Sequence, residues 1–207
     1  MSAAISEADR ASLLRRGIRL EYATLAWNVG EAVLVLIAAA IAHSVALAGF
    51  GLDSVLEIFA SVVVIWQLTG GRPEREKVAL HLIGGAFLVI ALYIATESTR
   101  TLLIHAHPRA SALGMASLGA TTVAMVGLGI AKGRLGRRLD NPVLRTEARV
   151  TITDGYLAVS ILIGLLLNAT LRWWWTDPAA AFVIVFYGLK EAWEVWHPAP
   201  AGQAAGR

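Results

Sequence analysis

The sequence predicts an all-α membrane protein of six transmembrane helices, with both termini cytoplasmic. Three observations carry this: apolar residues gather into six long runs, basic residues fall on one side of those runs, and tryptophans mark their ends. Of 207 residues, 57% are hydrophobic and 16% charged, whereas soluble domains carry about 25% charged residues. A helix needs about 20 mostly apolar residues to cross about 30 Å of hydrocarbon. The runs 18–43, 45–68, 78–103, 113–131, 146–169 and 173–196 meet that need. They divide the chain into an N-terminal cytoplasmic segment 1–17, one six-helix membrane domain 18–196 and a short cytoplasmic tail 197–207.

The first run follows Arg15, Arg16 and Arg19 and contains Ala40-Ile41-Ala42, the outline of a secretory signal with a small-residue cleavage site. Its 26 residues, and the Asn28 and Glu31 within them, point instead to a retained span. The second run starts at Val45, carries Asp53 and Glu57, and has Trp66 near its inner end. His81 opens the third run and is expected to hydrogen-bond within the bundle. The fourth run ends on Lys132, Arg134, Arg137 and Arg138, read as ordinary cytoplasmic anchors like Arg16 and Arg19. The fifth carries Glu147, Thr151 and Asp154. The sixth begins with Trp173, Trp174 and Trp175 and closes near Trp193 and Trp196, and indole rings favour the headgroup level.

Lys and Arg fix the orientation, because cytoplasmic loops carry their excess. Of the 18, only Arg100, Arg109 and Arg172 fall on the opposite side from the other 15. Both termini then share the cytoplasmic side, which requires an even number of spans. The net charge of +3 reflects this topology rather than nucleic-acid binding. With no cysteine in the chain, disulfides and thiolate metal sites are excluded. Fifteen of the 18 basic residues are Arg and three are Lys, a bias that fits a GC-rich bacterium and a multi-pass inner-membrane location.

A charged group in the hydrocarbon core costs about 2.5–3.5 kcal/mol on insertion scales, yet Glu31, Asp53, Glu57 and Asp154 all lie inside spans. At about 1.5 Å per residue, Glu31 lies about 20 Å from the cytoplasmic end of its run and Asp53 about 22 Å. Glu57 lies about 17 Å in and Asp154 about 12 Å in by the same rise. Three helices thus bring acids to a common level. Asp53 and Glu57 are four apart and share a face. Glu147, Thr151 and Asp154 follow an i, i+4, i+7 stripe, and Glu21, Asn28 and Glu31 form another. No Lys, Arg or His on those three helices lies at that depth, so the acids must hold protons or bind a cation. Oxygen ligands suit Mn²⁺, Mg²⁺ and Fe²⁺ and also occur on Zn²⁺.

The second and fifth runs resemble the cation diffusion facilitator family of divalent-metal/proton antiporters. Residues 44–57, with Asp53-Ser54 and Glu57 four later, are similar to that family's second-span pattern. Residues 145–154, ending in Thr151-Ile-Thr-Asp154, resemble its second metal motif, and Trp174-Trp175-Thr-Asp177-Pro178 also recurs there. Leu20-Glu21-Tyr22, Trp27-Asn28-x-x-Glu31 and Gly51-Leu-Asp53-Ser54 resemble the transmembrane-163-like branch, which is associated with zinc efflux. The resemblance implies that Asp53, Glu57 and Asp154 are metal ligands. Val150 stands where the family usually has a fourth, and valine cannot coordinate. Glu31, Thr151, Glu147 or water could supply that oxygen, with Glu31 favoured on depth and Glu147 as the way in. Losing an imidazole weakens any zinc preference, because nitrogen ligands favour zinc over harder ions.

The resemblance implies a secondary active transporter that exports a divalent cation (Zn, Mn, Co or Fe) from the cytoplasm in exchange for protons. It also implies a homodimer in the bilayer, working without the C-terminal metal-binding domain of many relatives. No resident cofactor and no catalytic residue is expected, since an intramembrane aspartyl hydrolase would need a Gly-rich signature that is not evident. A proton-coupled organic-cation carrier would want aromatic rings beside the acids, where only Phe50 and Phe59 are near. A non-transporting membrane scaffold would show no metal-induced stabilisation. His105-x-His107 in the loop between the third and fourth runs is expected to be a solvated loop rather than a metal contact.

Overall fold

Inside a bilayer the backbone must satisfy its own polar groups, which only helices and closed barrels achieve. The computed structural model describes residues 7–69, 73–140 and 142–197, and they form six helices with no strand among the described residues. These are α1 (Glu7–Ala42), α2 (Val45–Thr69), α3 (Pro73–Leu103), α4 (Ala112–Arg138), α5 (Pro142–Leu171) and α6 (Thr176–Trp196). Each apolar run lies within a helix apart from a few end residues, and several helices outlast their runs. Helix α1 begins at Glu7 rather than Ile18, and α4 continues through its basic end to Arg138. Among the described residues, Ala11–Ala42, His81–Leu103, Ala112–Arg138 and Ala148–Leu171 are long and apolar enough to cross a membrane. Helix α6 carries Asp177, Lys190, Glu191 and Glu194 along its length, and the side chains described on α2 stop at Phe59.

Short connections make consecutive helices run antiparallel, which gives the bundle two ends. One holds the α1–α2, α3–α4 and α5–α6 connections and is called the loop end; the other holds the two chain-terminal sides. Helices α4 and α5 pack most extensively, then α3 with α6 and α1 with α2. Close approach depends on missing side chains. A Cβ on Gly129 of α4 would stand 2.5 Å from Ile152 Cγ1 and 3.1 Å from the Ala148 carbonyl oxygen. A Cβ on Gly164 of α5 would stand 2.7 Å from Ala180 Cβ on α6.

The loop end is tied together tightly. Helix α1 stops in a left-handed residue, His43 (φ 52°), and the Ser44 amide donates back to the Ala39 carbonyl (3.2 Å). That is a Schellman-type termination, and it delivers Ser44 to start α2, where its hydroxyl accepts from the Leu47 amide (3.1 Å). Asp177, in the first turn of α6, accepts from the Ser44 hydroxyl and from the Val45 and Ala46 amides. A carboxylate at a helix N-terminus satisfies donors the helix cannot, and here it comes from another helix. The Arg109 amide donates to the Ala42 carbonyl at 2.8 Å and the Asn168 side chain to the Pro108 carbonyl at 3.0 Å. Beneath these ties lies the main apolar core, built on Val35, Leu47, Phe50, Ile94, Leu118 and Ile161.

Candidate metal centre

Two acids on one helix converge when they are four residues apart, and α2 places Asp53 and Glu57 on its inward face. Helix α5 brings Asp154 against them. One carboxylate oxygen from each of Asp53, Glu57 and Asp154 lies within 4.8 Å of the others. Asp53 and Asp154 are buried, at 4% and 6% exposure, and Glu57 is half-buried. Two oxygens on opposite sides of one zinc ion stand at most about 4.2 Å apart, given Zn–O of about 2.0–2.2 Å. A slight closure of these side chains would therefore let one small divalent ion touch all three.

Around the triad the structure sorts the remaining sequence candidates. Glu31 is buried on α1 but stands outside the group of three. Its Oε1 accepts from the Thr121 hydroxyl of α4, and Thr121 in turn accepts from the Trp27 indole N–H at 3.1 Å. Val150 is 42% exposed, so the inward line of α5 runs through the buried Thr151 to Asp154 instead. The side chain of Glu147 lies outside the described residues. His105 and His107 both rest against Trp174, with ring centroids 5.2 and 5.4 Å away, so this pair serves loop packing.

Sequence reasoning missed the partners that other helices supply. The Asn28 amide of α1 donates to Glu57 Oε2 at 2.6 Å, which makes α1 a wall of the site. Asn28 Oδ1 and Glu31 Oε2 are buried with no hydrogen-bond partner, although the large majority of buried polar atoms have one. The larger miss is Lys132. Expected to be an exposed cytoplasmic anchor, it is fully buried. Its ammonium pairs with Glu21 Oε2 at 2.8 Å and donates to Thr151 Oγ1 at 3.2 Å. The physical reason is its register: α4 buries Gly114, Leu118, Thr121, Met125, Gly129 and Lys132 along one stripe of three- and four-residue steps. Helical spacing with the small residues of that stripe is the signal that locates both Thr121 and Lys132.

Thr151 and Asp154 are three residues apart, so the ammonium lies about one turn, about 5 Å, from the level of Asp154. The carboxylates therefore sit between the apolar core on the loop-end side and a buried ion pair on the chain-terminal side. Oxygen donors of this kind, gathered from two helices with no sulfur or nitrogen among them, suit divalent cations. The model of the cation efflux transmembrane domain matches residues 22–197, which takes in α2 to α6, most of α1 and every site residue above except Glu21.

The chain belongs to the cation efflux family. An uncharacterized transporter from a Synechocystis strain is 28% identical over 180 residues, 80% of this chain and 57% of that relative. Transmembrane protein 163 from Xenopus laevis is 21% identical over 185 residues, 85% of this chain and 66% of that protein. The chain thus spans less than two thirds of the length of each of these relatives.

Proposed function

We propose that this efflux-family chain exports a divalent cation from the cytoplasm in exchange for protons, with Asp53, Glu57 and Asp154 as the binding carboxylates. The observation that carries the reading is the convergence of those three oxygens inside the bundle. Buried carboxylates without compensating charge are stable only when protonated or cation-bound. Loading a cation therefore expels protons, and reprotonation releases it. Proton release on binding is the general behaviour of metal ligands that must be deprotonated.

The distribution of Lys and Arg supports six spans with both termini cytoplasmic, in a bacterial inner membrane. The loop end then faces outward, and the packed core at that end supports access from the cytoplasmic side in this conformation, with Glu147 at the way in. Glu31 sits beside the triad as a second-tier acid held by Thr121. Zn²⁺, Mn²⁺, Co²⁺ and Fe²⁺ are the ion class, and a homodimer is the assembly in which the domain would work. For an organic-cation carrier the support is thin, because Phe59 is 38% exposed and Phe50 belongs to the apolar core.

The test is metal-dependent proton flux in proteoliposomes. Asp53→Ala and Asp154→Ala should each abolish it, and flux that survives both substitutions would show that the carboxylate cluster is not the transport site.

A further inference from the structure

We propose that Asn28 is a fourth protein ligand to the transported cation, supplying its side-chain carbonyl oxygen where Val150 supplies nothing. The inference rests on the carboxylate site proposed above, and it adds a residue that turns the ligand set toward oxygen-preferring ions.

Asn28 is buried, at 5% exposure, and its NH₂ group donates to Glu57 Oε2 at 2.6 Å. Only the NH₂ end of an amide can face a carboxylate acceptor, so the other end is an oxygen, one amide width from a triad carboxylate. That oxygen has no hydrogen-bond partner. A buried acceptor without a donor is destabilising and is commonly a place where a cation, water or ligand belongs.

Among the described side chains, the other candidates for the fourth place are less well placed. Val150 is apolar and exposed. The Thr151 hydroxyl accepts from the Lys132 ammonium, a cation that repels a second one. Glu31 also has a buried oxygen without a partner, Oε2, but its other oxygen is tied to α4 by Thr121, and it is not among the acids whose oxygens converge. Of these described candidates, Asn28 combines a hydrogen bond to a triad carboxylate with a buried oxygen that has no partner.

The chemistry of an amide oxygen gives two consequences. It is a hard, neutral donor, so with three carboxylates it makes an all-oxygen set suited to Mn²⁺-like ions rather than to zinc, which favours imidazole or thiolate. It also takes up no proton in the physiological range, so it binds the ion without adding to the protons exchanged. Proton coupling stays with the carboxylates.

The experiment measures binding of Mn²⁺ and Zn²⁺ to the purified full chain, together with the visible spectrum of the Co²⁺-loaded protein. Asn28→Leu should weaken Mn²⁺ by about tenfold or more, the scale of loss seen when groups around a metal are removed. Asn28→Asp, which keeps an oxygen, should retain Mn²⁺ binding. Asn28→His should raise the Zn²⁺-to-Mn²⁺ affinity ratio and shift the Co²⁺ bands, because nitrogen replaces oxygen on the ion. A residue that merely positions Glu57 would move neither the ratio nor the bands. An unchanged ratio and spectrum in Asn28→His, with Asp53→Ala still abolishing binding, overturns the proposal and leaves the carboxylate site standing. Binding that survives Asp53→Ala and Asp154→Ala overturns both. If Asn28→Leu fails to fold, the Asp and His variants decide alone.

Discussion

A lysine ammonium that loses its carboxylate inside a helix bundle has nowhere to place its charge. The Lys132 side chain is 1% exposed and that of Glu21 is 42% exposed, so the two halves of the pair are not equivalent. Glu21→Gln strands the ammonium, and losing one partner of a buried pair costs about 3–5 kcal/mol. Lys132→Met leaves a carboxylate whose Oε1 is buried without a partner on a side chain that is otherwise partly exposed, so its cost should be smaller than that of Glu21→Gln. Thermal unfolding in detergent should rank Glu21→Gln well below Lys132→Met, with the double variant recovering most of the loss; equal costs would mean that the pair is solvated. Lys132 also shows where the sequence was hard to read. It lies among Arg134, Arg137 and Arg138, and by composition all four resemble an anchor, although only Lys132 falls on the buried stripe of α4. Asp53, Glu57 and Asp154 were readable because charged groups at mid-span are rare enough to stand out. Asn28 was visible as a stripe member, but its contact with Glu57 joins two helices, and one-dimensional spacing does not report such contacts. Thr121 gave little signal by itself, since a threonine in a span commonly bonds its own helix, as Thr122 does to Leu118.

At the scale of elements, the apolar runs fall within the helices, apart from a few end residues, but do not give their ends. The polar overhangs of α1 and α4 continue as helix because nothing in them breaks it, whereas a hydropathy window ends where charge begins. The ends themselves follow from local chemistry: a left-handed His43 after α1, Ser111 capping α4 by accepting from the Gly114 amide at 3.0 Å, and Asp177 capping α2 from α6. That last contact was foreshadowed only as a recurring Thr-Asp-Pro string, with no hint that the aspartate caps a different helix. Replacing a side-chain cap costs about 0.5–2 kcal/mol. Asp177→Ala should exceed that range because it strands the Ser44 hydroxyl and two amides together, while Ser44→Ala should fall within it. Chemical denaturation of the two variants reads this directly, and equal midpoints would argue that the carboxylate contributes nothing across the helices. Gly129→Leu on α4 should separate α4 from α5 and lower stability more than Gly127→Leu, since nothing lies within 4 Å of a Cβ at Gly127.

For the whole molecule, the natural absence of cysteine makes topology directly measurable. A single cysteine at Ser2 or at Ala205 should react with a membrane-impermeant thiol reagent only from the cytoplasmic side, whereas one at Arg172 should react only from outside. Labelling of Ser2→Cys and Ala205→Cys from opposite sides would rule out an even number of spans.

The hold of Asp177 on the start of α2 also has a geometric consequence. Asp53 lies eight residues from Val45, about 12 Å along the axis, and Thr69 lies about 36 Å along it. If α2 swings about its clasped end by about 10°, the helix shifts by about 2 Å at Asp53 and about 6 Å at its far end. A metal–oxygen bond is itself only about 2.0–2.2 Å long. The same small rotation would thus open a passage at one end and detach a ligand at the middle, with the fulcrum hardly moving. A single carboxylate at the quiet end of the helix would set the length of the lever that empties the site.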